Sequence, residues 1–501
     1  MSASTEKKNR KVAREAGTDK KTIAAQEQAK EQAKSKRNWT IGIILVVFFI
    51  ALTLFLNSGF LFKNTAALRV NGEKVSPAEV NYYYGQQNLM YQQYSEYYGY
   101  DFTSMYTKEE QLESVEESIR QVKAYCSYAN ENGVTLTADE IAEIDESLAS
   151  LEEQVVAGGY KNLDTYYTFN YGTGVTAKLV RSLMLEQTLA QKAYEAAQDS
   201  LTYTDEELEE YFTALNGEGE SYAYDYYYLA AETVESEPDA DGNTTSAATE
   251  ETIAEAKATA DAIVAAYTGV EGETPAEKFA AAVADITGAE PYSTSNIQGS
   301  SLNSIYKEWM MDASRQEGDV KAVENSSGNG YYVVMFRDHS DNHYNVVSMR
   351  HILIKAAEDE EGIITEEALT AAHDAAAEIY AEWQAGEKTE ESFAALADEK
   401  TEDTGSQGNG GLYEDIYMGE MVSEIESWLF DGRKAGDTEI IDVQSSGYSG
   451  THVVYFVGEG DLYSNILARD ELVNDGMAEW EETVLAAVEV THGGTYSLIG
   501  K

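Results

Sequence analysis

Two of the six histidines in this chain lie in short apolar runs that favour buried β-strands. His351 precedes Ile352-Leu353-Ile354, and His452 precedes Val453-Val454. An imidazole can donate a hydrogen bond through one ring nitrogen and accept one through the other, so two such rings can build a fixed polar network. A lone histidine in an apolar run is more often structural than catalytic, but a pair is a candidate centre for hydrogen-bond chemistry.

The chain between the two histidines supplies a carboxylate, a cluster of glycines and several short apolar motifs. The glycine-rich stretch runs from Thr401 to Leu412 and contains Asp403. Further motifs lie around it in a fixed order: Phe393-Ala394-Ala395-Leu396-Ala397, Gly419-Glu420-Met421, Trp428-Leu429-Phe430 and Ser446-Gly447-Tyr448. This order of motifs over residues 349–456 resembles the parvulin family of peptidyl-prolyl isomerases.

The resemblance implies a role for each polar residue. His351 and His452 match the histidines that form a hydrogen-bonded dyad on adjacent central strands. Asp403 would lie near the substrate carbonyl, where burial would raise its pKa and let it share a proton; the alternative is a solvated loop aspartate. Ser446 matches a hydroxyl position near the dyad. We interpret these four residues as catalytic.

Apolar residues of the same stretch match the positions that cradle the proline ring in parvulins: Leu412, Met421 and Ile425. Ile425 replaces a more common phenylalanine, and Tyr413 stands where a glycine is usual. Core packing explains the three apolar residues equally well. The implied reaction is rotation about an X-Pro amide against a barrier of about 18–20 kcal/mol, and it requires no metal and no cofactor.

An uncharged apolar segment, residues 39–62, predicts a transmembrane helix. The basic tail before it, residues 1–38, holds Lys34, Lys36 and Arg37 next to the membrane, which favours a cytoplasmic N-terminus and extracytoplasmic domains. A cleaved signal peptide is the alternative, but its apolar core is usually about 7–15 residues long. We therefore expect a retained single-pass anchor in the cell membrane.

The charge of the chain is divided unequally. Residues 1–38 hold 11 Lys and Arg against 5 Asp and Glu, a net charge of +6, whereas the whole chain carries −54. The remainder therefore carries −60, which argues against binding to nucleic acid. Solubility is the simplest explanation of this charge.

The residues after the apolar segment predict a hairpin followed by helices. Residues 67–75 contain an Asn-Gly turn, and Ser76 and Pro77 then begin a helix. The hairpin pattern VNGxxVSxxE, followed by amphipathic helices, resembles the N-terminal chaperone region of SurA-, PrsA- and PpiD-type foldases. Amphipathic spacing predicts further helices over residues 111–130, 138–156, 175–198 and 205–215.

The chain also contains an internal repeat. Phe279-Ala280-Ala281 matches the Phe393 motif, and Tyr332-Val333-Val334 matches His452-Val453-Val454. Residues 221–340 therefore predict a degenerate parvulin-like module, with Asp225 or a tyrosine at the position of His351. The dense tyrosines of this module suit a surface that accepts unfolded chains, although helix and sheet packing is the alternative. We expect this module to bind chains without isomerising them.

These observations predict an α+β protein with two parvulin-like modules, each a four-stranded antiparallel sheet flanked by helices. The expected order is a tail (1–38), a transmembrane helix (39–62), a mostly helical SurA-like domain (66–215), the degenerate module (221–340), the isomerase module (346–459) and a C-terminal helix and tail (461–501). In the related foldases the C-terminal helix packs on the N-terminal region, and we expect the same here.

The function that the resemblance implies is a membrane-anchored, extracytoplasmic peptidyl-prolyl isomerase that assists the folding of secreted proteins. Its partners would be unfolded or nascent secreted polypeptides and the membrane, without nucleic acid; a homodimer is left open. The alternative is a catalytically silent holdase in which both modules only bind chains. A surface adhesin or scaffold is a third hypothesis, but it does not require the retained histidine pair.

Overall fold

A computed structural model describes residues 3–16, 20–57, 59–235, 244–359, 361–445 and 448–500 of the chain. The chain divides into two compact units. Residues 1–201 and 475–501 form the first unit, and residues 202–474 form the second. Ser446 lies outside the described residues.

The N-terminal region is helical, with α1 (Ala3–Glu15), α2 (Lys20–Asn57) and α3 (Phe60–Asn64). Within α2, Lys36–Phe55 is long and apolar enough to cross a membrane, by length and composition. The helix does not continue through the predicted residues 39–62. Gly59 adopts a positive φ of 68° and separates α2 from α3, because this left-handed conformation ends a regular helix.

The first unit then forms the predicted hairpin and helices. Asn71 and Gly72 take positive φ angles of 49° and 83° between the two short strands, as an Asn-Gly turn requires. Ser76 accepts a hydrogen bond from the Glu79 amide and caps the next helix. The elements are β1 (Leu68–Val70), β2 (Glu73–Val75), α4 (Pro77–Tyr98), α5 (Lys108–Asn132), α6 (Ala138–Ala157), α7 (Leu163–Tyr171) and α8 (Ala177–Ser200).

The second unit begins with α9 (Asp205–Ala214) and the module of residues 221–340. This module contains a four-stranded antiparallel sheet in the order β6-β3-β8-β7. Its elements are β3 (Ser221–Ala230), β4 (Thr233–Glu235), β5 (Ser246–Ala248), α10 (Glu250–Tyr267), α11 (Pro275–Thr287), β6 (Tyr292–Gln298), α12 (Lys307–Met310), β7 (Val320–Glu324) and β8 (Gly330–Ser340).

The module of residues 346–459 repeats this arrangement. Its elements are β9 (Asn345–Lys355), α13 (Glu366–Ala385), α14 (Glu390–Lys400), β10 (Leu412–Ile416), α15 (Ser423–Leu429), β11 (Thr438–Gln444) and β12 (Ser449–Leu462). The sheet order β10-β9-β12-β11 matches that of the first module strand for strand. Helices α13 and α14 pack on one sheet face, around Ile352, Phe393 and Val453, and α15 packs on the other, around Met349 and Val454.

The C-terminal residues complete the first unit. Helix α16 (Tyr463–Ala486) belongs to this unit from residue 475 onward, and that part places Trp480 against the rings of Tyr125 and Tyr194, with centroids 4.8 and 5.8 Å away. Strand β13 (Val490–His492) pairs with β1 and extends the hairpin into a three-stranded sheet. The expected packing of the C-terminal helix on the N-terminal region is therefore confirmed.

Candidate active site

The two predicted histidines meet on the two central strands of the second sheet. In the register of β9 and β12, His351 lies opposite Val454 and His452 lies opposite Leu353, so the two side chains project from the same face. Their Nδ1 atoms are 2.9 Å apart, and the rings stack at 5.1 Å with an angle of 21°. They are 5% and 2% exposed. The structure therefore forms the predicted dyad, buried on the face opposite α13 and α14.

The glycine-rich loop of residues 401–411 lies directly over this dyad because its glycines permit a close approach. Gly411 has a φ of 69°, and its carbonyl accepts a hydrogen bond of 2.9 Å from the His351 amide. A side chain at Gly411 would overlap the His351 carbonyl. The Arg350 guanidinium holds the loop by donating to the carbonyls of Asn409 and Gly410 at 3.0 and 3.1 Å.

Asp403 projects from this loop onto His351. Its Oδ2 lies 3.0 Å from His351 Nε2, and it accepts hydrogen bonds from the hydroxyls of Ser406 at 2.6 Å and Tyr413 at 3.0 Å. The amide of Ser406 donates to the same oxygen at 3.2 Å. The predicted carboxylate therefore belongs to the same network as the dyad.

Tyr448 completes the network on the other side. Its hydroxyl lies 2.8 Å from His452 Nε2. The sequence interpretation assigned no role to Tyr448, Tyr413 or Ser406. Tyr413 could have been found from the sequence, because it replaces a glycine that is usual at this position. In the structure its ring contacts His351 edge-on, with centroids 5.2 Å apart. Tyr448 is the last residue of the Ser446-Gly447-Tyr448 motif, which is the signal that could have found it.

Burial keeps the dyad neutral. It lowers the pKa of His351, although Asp403 opposes this shift, and together with the neighbouring His351 it lowers the pKa of His452 to about 3. Burial and the nearby Asp403 carboxylate raise the pKa of Tyr413 to about 12. Both imidazoles are therefore uncharged at neutral pH, and the Tyr413 phenol remains protonated.

The expected rise in the pKa of Asp403 is wrong. Burial alone would raise it, but hydrogen bonds from Ser406, His351, the Gly405 amide and Tyr413 together hold the pKa of Asp403 well below its usual range. The reason is that each of these groups donates to the ionised form of the carboxylate. Asp403 is therefore a permanent anion at neutral pH and does not share a proton with the dyad.

This charge fixes the direction of the hydrogen bonds around the dyad. An ionised carboxylate accepts only, so His351 carries its proton on Nε2 and accepts at Nδ1. His452 must then donate from Nδ1 and accept at Nε2, where the Tyr448 hydroxyl donates. The chain of donors from Tyr448 to Asp403 thus has one consistent polarity, which is the arrangement of a rigid site.

The three predicted proline-cradling residues occupy different environments. Leu412 begins β10 and is half-buried, and Met421 is half-buried against the cluster formed by α15 and the sheet. Ile425 lies within that cluster and is 2% exposed, so it supports the site from below. Tyr413 and Tyr448 are half-buried against the same cluster, and their rings supply apolar surface next to His351 and His452.

Residues 351–457 match the family model of the PPIC-type PPIASE domain. His351 is the first matched residue, and His452 lies near the end of the match. The chain contains a PPIC-type rotamase domain. Residues 30–154 match the SurA-like N-terminal domain, and the match covers the candidate membrane segment, α4, α5 and most of α6. The chain therefore combines a rotamase domain with a SurA-like N-terminal domain.

Solved structures that resemble this chain include PrsA from Bacillus subtilis, with 14% identity over 85% of this chain and 93% of that chain and a TM-score of 0.27. A SurA-like chaperone of Campylobacter jejuni matches at 13% identity over 84% and 94%, with a TM-score of 0.19. PrsA from Bacillus anthracis matches at 21% identity over 29% of this chain, with a TM-score of 0.19.

This chain spans 59% of the Bacillus anthracis PrsA chain and 50% of the Bacillus cereus PrsA chain. No curated protein matches it significantly.

Proposed function

We propose that this protein is a membrane-anchored foldase whose rotamase domain catalyses cis/trans isomerisation of X-Pro bonds in exported polypeptides. The observation that supports this most is the neutral pair of His351 and His452 beneath the ionised Asp403, joined by hydrogen bonds of 2.9 and 3.0 Å. A fixed protonation pattern in a buried site provides electrostatic preorganisation without a cofactor.

The Asp403 carboxylate supplies the catalytic electrostatics in this proposal. Amide resonance places partial negative charge on the carbonyl oxygen of a planar X-Pro bond, and twisting the bond removes that resonance. An anion beside the carbonyl oxygen therefore destabilises the planar forms more than the twisted one. Such a difference between ground state and transition state accelerates the reaction, whereas uniform binding does not.

The surrounding side chains would hold the proline ring. Tyr413 and Tyr448, which contact the dyad network, offer two aromatic faces, and Met421, which packs against the same apolar cluster, offers a flexible thioether. Leu412 lies at the start of the same strand as Tyr413. We assign substrate binding to these residues and catalysis to Asp403 supported by the dyad; Ser446 stays a prediction.

The setting of the reaction follows from the N-terminal region. The apolar segment Lys36–Phe55 would anchor the protein, and the basic residues before it favour a cytoplasmic N-terminus. The SurA-like domain and both modules would then lie outside the cytoplasm, where they would bind unfolded secreted chains. A homodimer stays an open prediction.

The test is X-Pro isomerisation of a proline peptide, followed by proline-limited refolding of a protein, by the full chain in detergent micelles. Asp403→Asn keeps the shape of the side chain and removes its charge. We expect the isomerisation rate to fall by about tenfold or more, which corresponds to at least ~1.4 kcal/mol in the barrier. Glu399→Gln is the matched control, because Glu399 is an exposed carboxylate paired with Lys400 on α14.

The control should retain the parent rate, and thermal melts should show that both variants are folded. An unchanged rate in Asp403→Asn would remove the carboxylate from the mechanism. If the parent does not accelerate isomerisation but still suppresses aggregation, the protein is a holdase and the enzymatic proposal is wrong.

A further inference from the structure

The module of residues 221–340 has a pair of tyrosines where the rotamase domain has its dyad. The two sheets can be aligned residue by residue from one shared hydrogen-bond pattern. Phe336 bonds to Gly318 and Asp319 through its carbonyl and amide, as Phe456 bonds to Gly436 and Asp437. Counting back from the phenylalanines places Tyr332 at the position of His452.

The partner strand identifies the second tyrosine. Tyr226 lies opposite Val334, as His351 lies opposite Val454, so Tyr226 takes the position of His351. Of the two alternatives for this position, Asp225 is therefore wrong. Asp225 projects from the other side of the strand at the position of Arg350, and it forms an ion pair with Arg337 at 3.3 Å.

These tyrosines belong to a continuous aromatic surface, which we call the tyrosine face and define as Tyr226, Tyr228, Tyr292 and Tyr332. Ring centroids are 5.3 Å apart for Tyr226 and Tyr292, 6.3 Å for Tyr226 and Tyr332, and 4.6 Å for Tyr228 and Tyr332. Tyr292 is 63% exposed, and the other three are half-buried. Below them, Tyr306 packs against Tyr332 and is 4% exposed.

Among the described residues of this module, the carboxylate of Asp403 has no counterpart at the tyrosine face. In the rotamase domain the loop of residues 401–411 carries Asp403 and Ser406 between α14 and β10, whereas here only residues 288–291 connect α11 to β6. The position of Tyr413 is taken by Thr294, whose hydroxyl donates to the Tyr224 carbonyl at 2.8 Å. The tyrosine face therefore lacks both the loop and the charge that the proposed mechanism uses.

We propose that the tyrosine face binds a proline-containing, non-acidic segment of an extended polypeptide and does not isomerise it. Aromatic surfaces recognise proline-rich extended segments because the rigid proline ring packs flat on an aromatic ring at low entropic cost. The location of the tyrosine face supports this proposal, because it is the same sheet face that carries the dyad, and the proposed substrate site, in the rotamase domain. The inference rests on the proposed function only in taking an unfolded polypeptide as the client.

Charge excludes acidic segments from this role. Residues 221–340 contain 21 Asp and Glu against 6 Lys and Arg, a net charge of −15. An acidic segment would be repelled by the module, whereas a segment with lysine or arginine beside its proline would be attracted. The occupant that fits both the rings and the charge is a basic or neutral prolyl segment.

The test uses the full chain in detergent micelles and a labelled peptide with two lysines, one proline and a photo-crosslinking residue next to the proline. We expect crosslinks in residues 221–340 as well as in the rotamase domain. Tyr292→Ala should weaken binding at the first location by about three- to tenfold, because one stacked ring is lost. The isomerisation rate should not change.

Ile286→Ala is the matched control, since Ile286 is an exposed apolar residue on α11 of the same module, 42% exposed. It should leave crosslinking intact, and a peptide with alanine in place of proline should crosslink less to residues 221–340. Equal crosslinking by both peptides, or no effect of Tyr292→Ala, would overturn the proposal. So would conversion of a dimer to a monomer by Tyr292→Ala, which would make a second copy the occupant.

This experiment separates the two proposals. Crosslinks in residues 221–340 do not depend on catalysis, so they would survive if the rotamase domain proved inactive. Loss of isomerisation in Asp403→Asn, conversely, would be observed whether or not the tyrosine face binds a peptide.

Discussion

The central residues of the site form one hydrogen-bonded chain whose polarity follows from a single charge. Because Asp403 accepts from several donors and stays ionised, His351 must donate to it, His452 must donate to His351, and Tyr448 must donate to His452. No member of this chain needs to change its protonation state during amide rotation. In the proposed reaction these residues would therefore act as a fixed electrostatic surface and not as a proton relay.

This arrangement predicts how stability depends on pH. The folded pKa of His452 is about 3, below its usual value of 6.5, so the unfolded chain takes up the proton first as the pH falls. The stability that neutral His452 contributes is complete above pH 6.5 and is lost progressively between pH 6.5 and 3. We expect a slope of about 1.4 kcal/mol per pH unit for this residue in that window. Chemical denaturation at pH 7.5, 6 and 5 measures it.

His452→Gln provides the comparison, because it removes the titrating ring and leaves the rest of the chain unchanged. The free energy of unfolding of the parent should fall more steeply than that of the variant below pH 6.5. Parallel curves would show that His452 is not held neutral in the folded protein. The isomerisation rate should be flat from pH 6.5 to 8, since no group of the site titrates there.

The sequence predicted the residues whose types are rare and whose order is informative. Histidines in apolar strands and an aspartate in a glycine-rich loop can be recognised from the sequence. In the structure, His351 lies within hydrogen-bond distance of both His452 and Asp403, at 2.9 and 3.0 Å. The hydroxyls of Tyr413 and Tyr448 could not be predicted, because tyrosine is frequent in this chain and its role depends on loop geometry. The prediction of a raised pKa for Asp403 was wrong for the same reason, because the fold of the loop determines which groups donate hydrogen bonds to its carboxylate.

At the scale of elements, the repeat was predictable because both copies keep the same alternation of helices and apolar strands. Strand register was harder to predict, since a shift by one residue moves every side chain to the opposite face of a sheet. That shift is the difference between Asp225 and Tyr226, and only the pairing with Val334 decides it. The prediction of one helix over residues 39–62 also missed the break between α2 and α3 at Gly59, because the segment stays uncharged although Asn57-Ser58-Gly59 interrupts its apolar run.

The loop over the dyad depends on one backbone position. Gly411 combines a φ of 69° with close contact to the His351 carbonyl, whereas Gly432 has a φ of 67° and open space around it. Gly411→Ala should therefore reduce the free energy of unfolding by roughly 2 kcal/mol more than Gly432→Ala, since only the first adds a steric overlap to the left-handed strain. Denaturant titration of both variants measures the difference.

Isomerisation should follow the same order. Displacement of residues 401–411 moves Asp403 away from the dyad, so Gly411→Ala should lose activity under conditions where it is still folded, and Gly432→Ala should retain it. Equal stability and activity in the two variants would show that the loop does not need this close contact.

For the whole molecule, the distribution of charge around the apolar segment predicts how the chain is oriented across a membrane. The proposed orientation rests on the basic tail of residues 1–38, because positive charge beside the first apolar segment favours the cytoplasmic side of a membrane, whereas Asp and Glu contribute little to this preference. The acidic surface of the remaining chain keeps a protein with exposed aromatic residues soluble. The prediction for the whole chain is therefore that residues 1–38 lie in the cytoplasm and the domains after the apolar segment lie outside it.

Site-specific labelling tests this orientation. Cys126, the single cysteine, donates a hydrogen bond to the Glu186 carbonyl, and burial raises the pKa of its thiol to about 11, so it reacts slowly. In a Cys126→Ala background, Ser327→Cys and Asn9→Cys each place one thiol at an exposed position on either side of the apolar segment. A membrane-impermeant maleimide should label Ser327→Cys in intact cells and Asn9→Cys only after permeabilisation. The reverse pattern would place the rotamase domain in the cytoplasm, where it could not act on exported chains.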